Sequence, residues 1–224
     1  MLVKRVIMFV MCLSLCLMLT ASGESSFTND IRISGQTIDF AIHEYYSGND
    51  SREFKESLDI NEDGFVNSSE TEFFFSSFQG KKLDQYRGYV IADDGNTDLS
   101  MDSFDIELNG EVGEVDTSDM SVTVSINYRT NSSFSRGNHN IWILGHPSIN
   151  HMSITLPEDA QLHSYDGLDN SSVSVENDRI ILEGVSGIRS FNVDDRLTYE
   201  YAVSMDIRNG FFLADMSVFS FLYS

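Results

Sequence analysis

The chain has 224 residues, with 35 acidic against 14 basic side chains and a formal charge of −21, enough for one or two small domains. Such an acidic, lysine-poor surface repels phosphate backbones and excludes nucleic acid as a natural partner, while it attracts cations. The only two cysteines, Cys12 and Cys16, both fall in the N-terminal segment discussed next, so no disulfide framework is expected in the remainder.

Residues 1–23 begin Met-Leu-Val-Lys-Arg, continue as an apolar run from Val6 to Leu19, and end Thr20-Ala21-Ser22-Gly23. A short basic region, an apolar stretch shorter than the roughly 20 residues of a bilayer span, and a small-residue end are the layout of a secretory signal. A mature start near Glu24 is expected, with no membrane span in the mature chain. Removal of Lys4 and Arg5 takes the formal charge from −21 to −23 and leaves three lysines, Lys55, Lys81 and Lys82. Without disulfides, an exported domain relies on a sufficient core or on a metal.

Ile31 and Ile33, then Ile38, Phe40 and Ile42, alternate with polar residues on either side of Gly35, which predicts a strand or a short hairpin. Ser47-Gly48-Asn49-Asp50 reads as a turn, with Asp50 or Ser51 capping a short helix that carries Phe54 and Leu58 at i, i+4. A second helix bearing Phe73, Phe74 and Phe78 is expected to end at Gly80. From Leu83 onward the period is two. Phe104, Ile106 and Leu108 alternate, and so do Met120 through Tyr128. Ile141–Leu144, which includes the single Trp142, is an apolar run, and Met152, Ile154 and Leu156 stop at Pro157. Val173 and Val175 connect through Glu176-Asn177-Asp178 to Ile180 and Leu182, and Leu197 through Ile207 is the longest alternation. About eight strands with polar turns predict an α+β, mostly β chain: an antiparallel β-sandwich-like domain with a helix-loop-helix near its N-terminus. The expected divisions are 1–23, 24–82 and 83–224, with the apolar tail from Phe211 as a last docked segment.

Between the two helices lies Asp59-Ile60-Asn61-Glu62-Asp63-Gly64-Phe65-Val66-Asn67-Ser68-Ser69-Glu70. A calcium ion takes six to eight oxygens at about 2.3–2.6 Å. Asp59, Asn61 and Asp63, two residues apart, present side-chain oxygens to a common centre as the chain winds round it. Gly64 permits a sharp turn. Phe65 offers its backbone carbonyl, Asn67 acts through a water, and Glu70 closes the shell with both oxygens. Val66 supplies an apolar contact that pins the loop to a neighbour, and Glu62 points away. Over residues 51–79 the chain resembles the EF-hand superfamily, and Asp63–Ser69 also resembles the calcium loop of dockerin modules, although a single loop closed by Glu70 departs from the paired, Asp-closed dockerin pattern. The resemblance implies Ca²⁺ as the ligand of Asp59, Asn61, Asp63, Phe65, Asn67 and Glu70.

Asp93-Asp94-Gly95-Asn96-Thr97-Asp98 is a second acidic turn, composed of ordinary turn residues. The histidines, His43, His139, His146, His151 and His163, show no metalloprotease spacing and read as surface or loop residues; no nucleophile elbow or phosphate loop is present. Sequons at Asn49, Asn67, Asn131 and Asn170 suit an exported surface protein. The reading is an exported, noncatalytic, acidic calcium-binding module, secreted or at the cell surface, with an extracellular protein or glycan as partner; the rival is a secreted hydrolase or lyase with a structural calcium ion.

Overall fold

The computed structural model describes residues 25–193 and 196–209. The expected signal segment with Cys12 and Cys16, the start at Glu24 and the tail from Phe211 lie outside them. Among the described residues the chain is mostly β. Strands β1 (Ser25–Ile33) and β2 (Thr37–Tyr46) lead into helix α1 (Gly48–Leu58), the two-residue strand β3 (Phe65–Val66) and helix α2 (Ser68–Tyr86). Then come β4 (Val90–Ala92), a 3₁₀ turn (Asp93–Gly95), β5 (Leu99–Asn109), β6 (Gly113–Glu114), β7 (Met120–Thr130), β8 (Gly137–Leu144) and β9 (Ile149–Thr155). The chain continues with β10 (Gln161–Asp166), β11 (Leu168–Glu176), β12 (Arg179–Ser186), β13 (Ile188–Val193) and β14 (Arg196–Asn209).

A seven-stranded sheet runs β11-β12-β9-β1-β2-β7-β5, and a second runs β10-β14-β8-β4, with β13 alongside the first half of β14. The alternating positions are the buried ones: Ile31 and Ile33, Ile38, Phe40 and Ile42, Val122, Val124 and Ile126 from the first sheet, Ile141, Ile143, Val203, Met205 and Ile207 from the second. All belong to one apolar cluster, so each sheet buries its apolar face in a core common to both. β1 and β2 sit inside the same sheet as β5, β7 and β9, and no break in the sheet corresponds to the division expected at 82/83.

Several expectations change. The pairing is antiparallel except between β1 and β9, which run parallel. The chain reaches β9 by crossing from β8 in the other sheet, not by a hairpin, so the crossing sets its direction. Fourteen strands are present among the described residues, not eight. β3 and β6 are too short for any period, and β10 is too exposed for one. Helix α2 continues through Gly80 to Tyr86, where the Tyr128 hydroxyl donates to the Tyr86 carbonyl and Tyr86 stacks near Phe104 at 5.4 Å; tertiary contacts at the far end outweigh one helix-weakening glycine. The N-cap position of helix α1 is Ser47, without a side-chain capping bond; the Ser51 hydroxyl donates to the Ser118 carbonyl, and Asp50 accepts from Ser25. Asn29 occupies a core position of β1 at 0% exposure and donates to the Tyr89 hydroxyl at 3.3 Å.

The β11–β12 hairpin closes as expected through Asn177 and Asp178, both left-handed at φ 50° and 60°. That is the mirror-image turn that matches strand twist, and it favours glycine at the second position. Asp178→Gly is therefore expected to raise stability by about 0.5–1 kcal/mol, read as a higher urea midpoint.

Candidate metal centre

Residues 59–70 lie between α1 and α2, and the side chains of Asp59, Asn61, Asp63, Asn67 and Glu70 accept from the loop's own amides. Asp59 Oδ1 accepts from the Asp63 N–H at 3.2 Å and Oδ2 from the Gly64 N–H at 2.8 Å. Asn61 Oδ1 accepts from Asp63 N–H at 2.9 Å, and Asp63 Oδ1 from Phe65 N–H at 2.9 Å. Residues one, three and five of the loop are thus locked to the backbone of residues five to seven, the local closure that Asp and Asn favour. Glu62 and Gly64 are left-handed at φ 61° and 81°; a glycine at 64 makes the second of these turns without strain.

Asn67 caps helix α2: its Oδ1 accepts from Ser69 N–H at 2.9 Å, while Glu70 Oε2 accepts from Asn67 N–H at 3.0 Å. This is a reciprocal capping box. Glu70, 6% exposed, also reaches back across the loop, its Oε1 accepting from Ile60 N–H at 2.9 Å and Asn61 N–H at 3.2 Å. It straps the start of the loop to the start of the helix. An N-linked glycan on Asn67 would displace its Nδ2, which donates to Glu70 Oε2 at 2.8 Å.

Phe65 and Val66 pair antiparallel with Glu114 and Gly113 of β6, and the Gly64 carbonyl accepts from Val115 N–H at 3.0 Å. In an antiparallel ladder, successive residues turn their peptide groups to opposite edges. Gly64 bonds outward to β6, and Phe65 turns inward, as its N–H to Asp63 attests. An extended residue carries its N–H and carbonyl on one edge, so the Phe65 carbonyl faces the loop interior while its ring lies outside, 45% exposed. Val66, 0% exposed, is the apolar pin.

The six expected residues thus form one contiguous hydrogen-bonded loop. The oxygens this loop gathers, from Asp59, Asn61, Asp63, the Phe65 carbonyl and Glu70, include three carboxylates, a composition that fits a hard divalent cation. Glu70 fits by exchange: both its oxygens are engaged by amides of Ile60, Asn61 and Asn67. Among the described residues no three His, Cys, Asp or Glu side chains converge on one point, in keeping with Glu70 facing those amides.

The inner face of α1 is formed by Ser51, Lys55 and Leu58, all buried. Sequence reasoning passed over Lys55, 2% exposed; its Nζ donates to Asp116 Oδ1 at 2.8 Å and to the Ser118 hydroxyl at 2.6 Å. A lone lysine in a lysine-poor stretch was the available signal.

The Asp93 turn is a turn, with Asp93 and Asp94 left-handed at φ 54° and 53°. The Asp93 carboxylate accepts from the Thr97 hydroxyl, the Asn140 N–H at 3.0 Å and His139 Nδ1 at 3.0 Å. His139 is thus no surface histidine. Its Nε2 meets the carbonyls of Arg136 at 2.7 Å and Ser133 at 3.2 Å, so both ring nitrogens are engaged within the fold. A cavity of about 40 Å³ between the helices and the first sheet, lined by Glu44, Phe54, Phe74 and Phe78, has room for a few waters only.

Three carboxyls are held below their usual range. Bonds from Lys55 and Ser118 lower Asp116 strongly. At Asp93 burial pushes upward, but bonds from Thr97, His139 and Asn140 outweigh it. Asn140 and Ser164 lower Asp206. Groups with depressed folded values contribute stability above the unfolded value, about 3.9, that is lost as pH falls through and below it. Acid also relieves the general repulsion of a −21 chain, so the test is a difference. The stability gap between the parent and Asp116→Asn or Asp93→Asn is expected to shrink between about pH 5 and pH 2, measured by urea unfolding. A gap that stays constant would mean these carboxyls are not held by the folded state.

No protein-family model matches the chain, and no curated protein matches it. Among the described residues no helix is long and apolar enough to cross a membrane.

Proposed function

We propose that this chain is an exported, noncatalytic, acidic module that binds one calcium ion in an EF-hand loop at residues 59–70, with the ion serving as a structural staple. The observation that supports it most is the closure of the loop on itself: Asp59, Asn61, Asp63 and Glu70 accept from the loop's own amides, at the spacing of an EF-hand, between two helices. Asn67 would act through a water. Calcium would supply a double positive charge against the three carboxylates of Asp59, Asp63 and Glu70. The two sheets, sharing one core, are read as a β-sandwich-like scaffold that carries the loop.

A staple differs from a sensor in what moves. A sensor opens a groove between helices on binding. Here Phe74 is 8% exposed and already packed, 6.1 Å from Phe54 and 5.2 Å from Phe78, while Tyr46 of β2 lies 5.0 Å from Phe54. Phe73 of helix α2 is 56% exposed. With a Kd of about 10⁻⁴ M, of the weak extracellular kind, about 10 mM calcium adds roughly 2.7 kcal/mol. For a chain of this size that is about 5–10 °C in Tm. Calcium titration by calorimetry and thermal melts in calcium against chelator test the reading. Saturable uptake of one ion with a raised Tm and unchanged hydrophobic-dye binding is expected. Dye binding that rises steeply with no gain in Tm would replace the staple with a sensor, and no uptake would end the proposal.

A further inference from the structure

Strand β3 carries outward-facing peptide groups, and in a lone helix-loop-helix that edge needs a partner. We infer that the β5–β7 connection, residues 110–119, takes the place of a second EF-hand loop, so that the calcium site is completed within one chain and the outward edge of β3 is not open to another. This rests on the calcium reading of residues 59–70.

Three contacts join the connection to the loop, the first two belonging to one ladder. β6 pairs with β3, Phe65 to Glu114 and Val66 to Gly113. Val115 N–H donates to the Gly64 carbonyl at 3.0 Å. Lys55 of α1, buried, donates to Asp116 and to the carbonyl and hydroxyl of Ser118, and Ser51 donates to the same carbonyl at 2.6 Å. The first two contacts orient the stretch that turns the Phe65 carbonyl inward; the third fixes the helix from which Asp59 emerges. The connection is itself anchored, because its ends continue β5 and β7, which pair from Asn109–Ser121 onward. It therefore transmits the rigidity of the seven-stranded sheet to the loop. Gly113, Glu114, Val115, Asp116 and Ser118 act as positioning residues: none faces the loop interior, and each acts through a residue that does or through α1.

The test shortens the connection. Replacing Glu111–Asp119 by Asn-Gly preserves the β5–β7 ladder, since a two-residue turn of this type closes a hairpin, and Lys55→Met in the same chain avoids a buried unpaired ammonium. Calorimetric titration with calcium chloride is expected to give a Kd at least tenfold weaker than the parent. Hydrogen exchange in chelator is expected to show the Val66 amide losing its protection while the β7 and β14 amides keep theirs. An unchanged Kd together with unchanged Val66 protection would overturn the inference. The parent chain provides a second measurement needing no variant: sedimentation in calcium is expected to show a monomer at all concentrations, and a calcium-driven dimer would overturn the inference by revealing an open edge. Failure of the parent to take up calcium would instead overturn the metal reading, and the exchange experiment would still decide the role of the connection.

Discussion

Replacing Glu70 by alanine is expected to weaken calcium binding about a hundredfold or more and to destabilise the protein even in chelator. The two effects have different causes. The first is the loss of two oxygens and one charge from a donor set with three carboxylates; at about 1.4 kcal/mol per tenfold, two powers of ten correspond to roughly 2.8 kcal/mol. The second is the loss of the strap. Glu70 is 6% exposed and receives the amides of Ile60, Asn61 and Asn67. Hydrogen bonds to a charged group contribute about 1.5–3 kcal/mol, and buried donors left without a partner cost a similar amount. A metal-free loss of about 3 kcal/mol, or roughly 6–12 °C in Tm, follows. Glu70→Gln separates the two. It keeps an oxygen for Ile60 and Asn61 but turns an amide toward the Asn67 donors, so calcium affinity is expected to fall nearly as far while Tm in chelator falls less. Glu62→Ala is the control: Glu62 is exposed, and a change within about threefold in Kd is expected, less than one power of ten in affinity. Equal losses from Glu62→Ala and Glu70→Ala would mean that the loop does not fold as an EF-hand.

The largest stability loss away from the loop is expected from Gly167→Ala. Gly167 turns the corner between β10 in one sheet and β11 in the other, at φ +87°. A methyl group there would stand 1.8 Å from the carbonyl oxygen of Ala202 and 2.9 Å from its carbon. Both are backbone atoms of β14, which is paired to β8 at that point, Ala202 to Leu144, so they cannot move without breaking a central ladder. Overpacking of this kind and a left-handed non-glycine residue each cost about 1–3 kcal/mol, and a combined loss of about 4 kcal/mol or more is expected, read by urea unfolding with Trp142 fluorescence. Gly88→Ala, where a methyl group meets nothing within 4 Å, is expected to change stability by less than about 0.5 kcal/mol. A tolerated Gly167→Ala would show that the crossing between the sheets is looser than described.

The parts that were legible from the residues are those whose causes are local. Period-two alternation placed β2, β7 and the second half of β14, because burying one face of a strand writes a two-residue repeat into its own sequence. The Asn177-Asp178 turn was legible because its left-handed backbone selects its own residues. The sharp turn at Gly64 was legible for the same reason: every side-chain-to-amide closure in residues 59–70 spans at most ten residues, whereas the capping box of Asn67 with Glu70 was not foreseen. The parallel pairing of β1 with β9, the extension of α2 past Gly80 to meet Tyr128, the burial of Lys55 and the histidine–carboxylate pair of His139 with Asp93 were not legible. Each joins residues at least 42 positions apart, and none requires a residue type that marks it. The partner of β3 is the sharpest case. Val66 announces in sequence that the loop is pinned to a neighbour. That the neighbour is Gly113-Glu114, a pair of residues with no pattern of their own, is decided only when the β5–β7 hairpin closes and carries that short connection beside the loop.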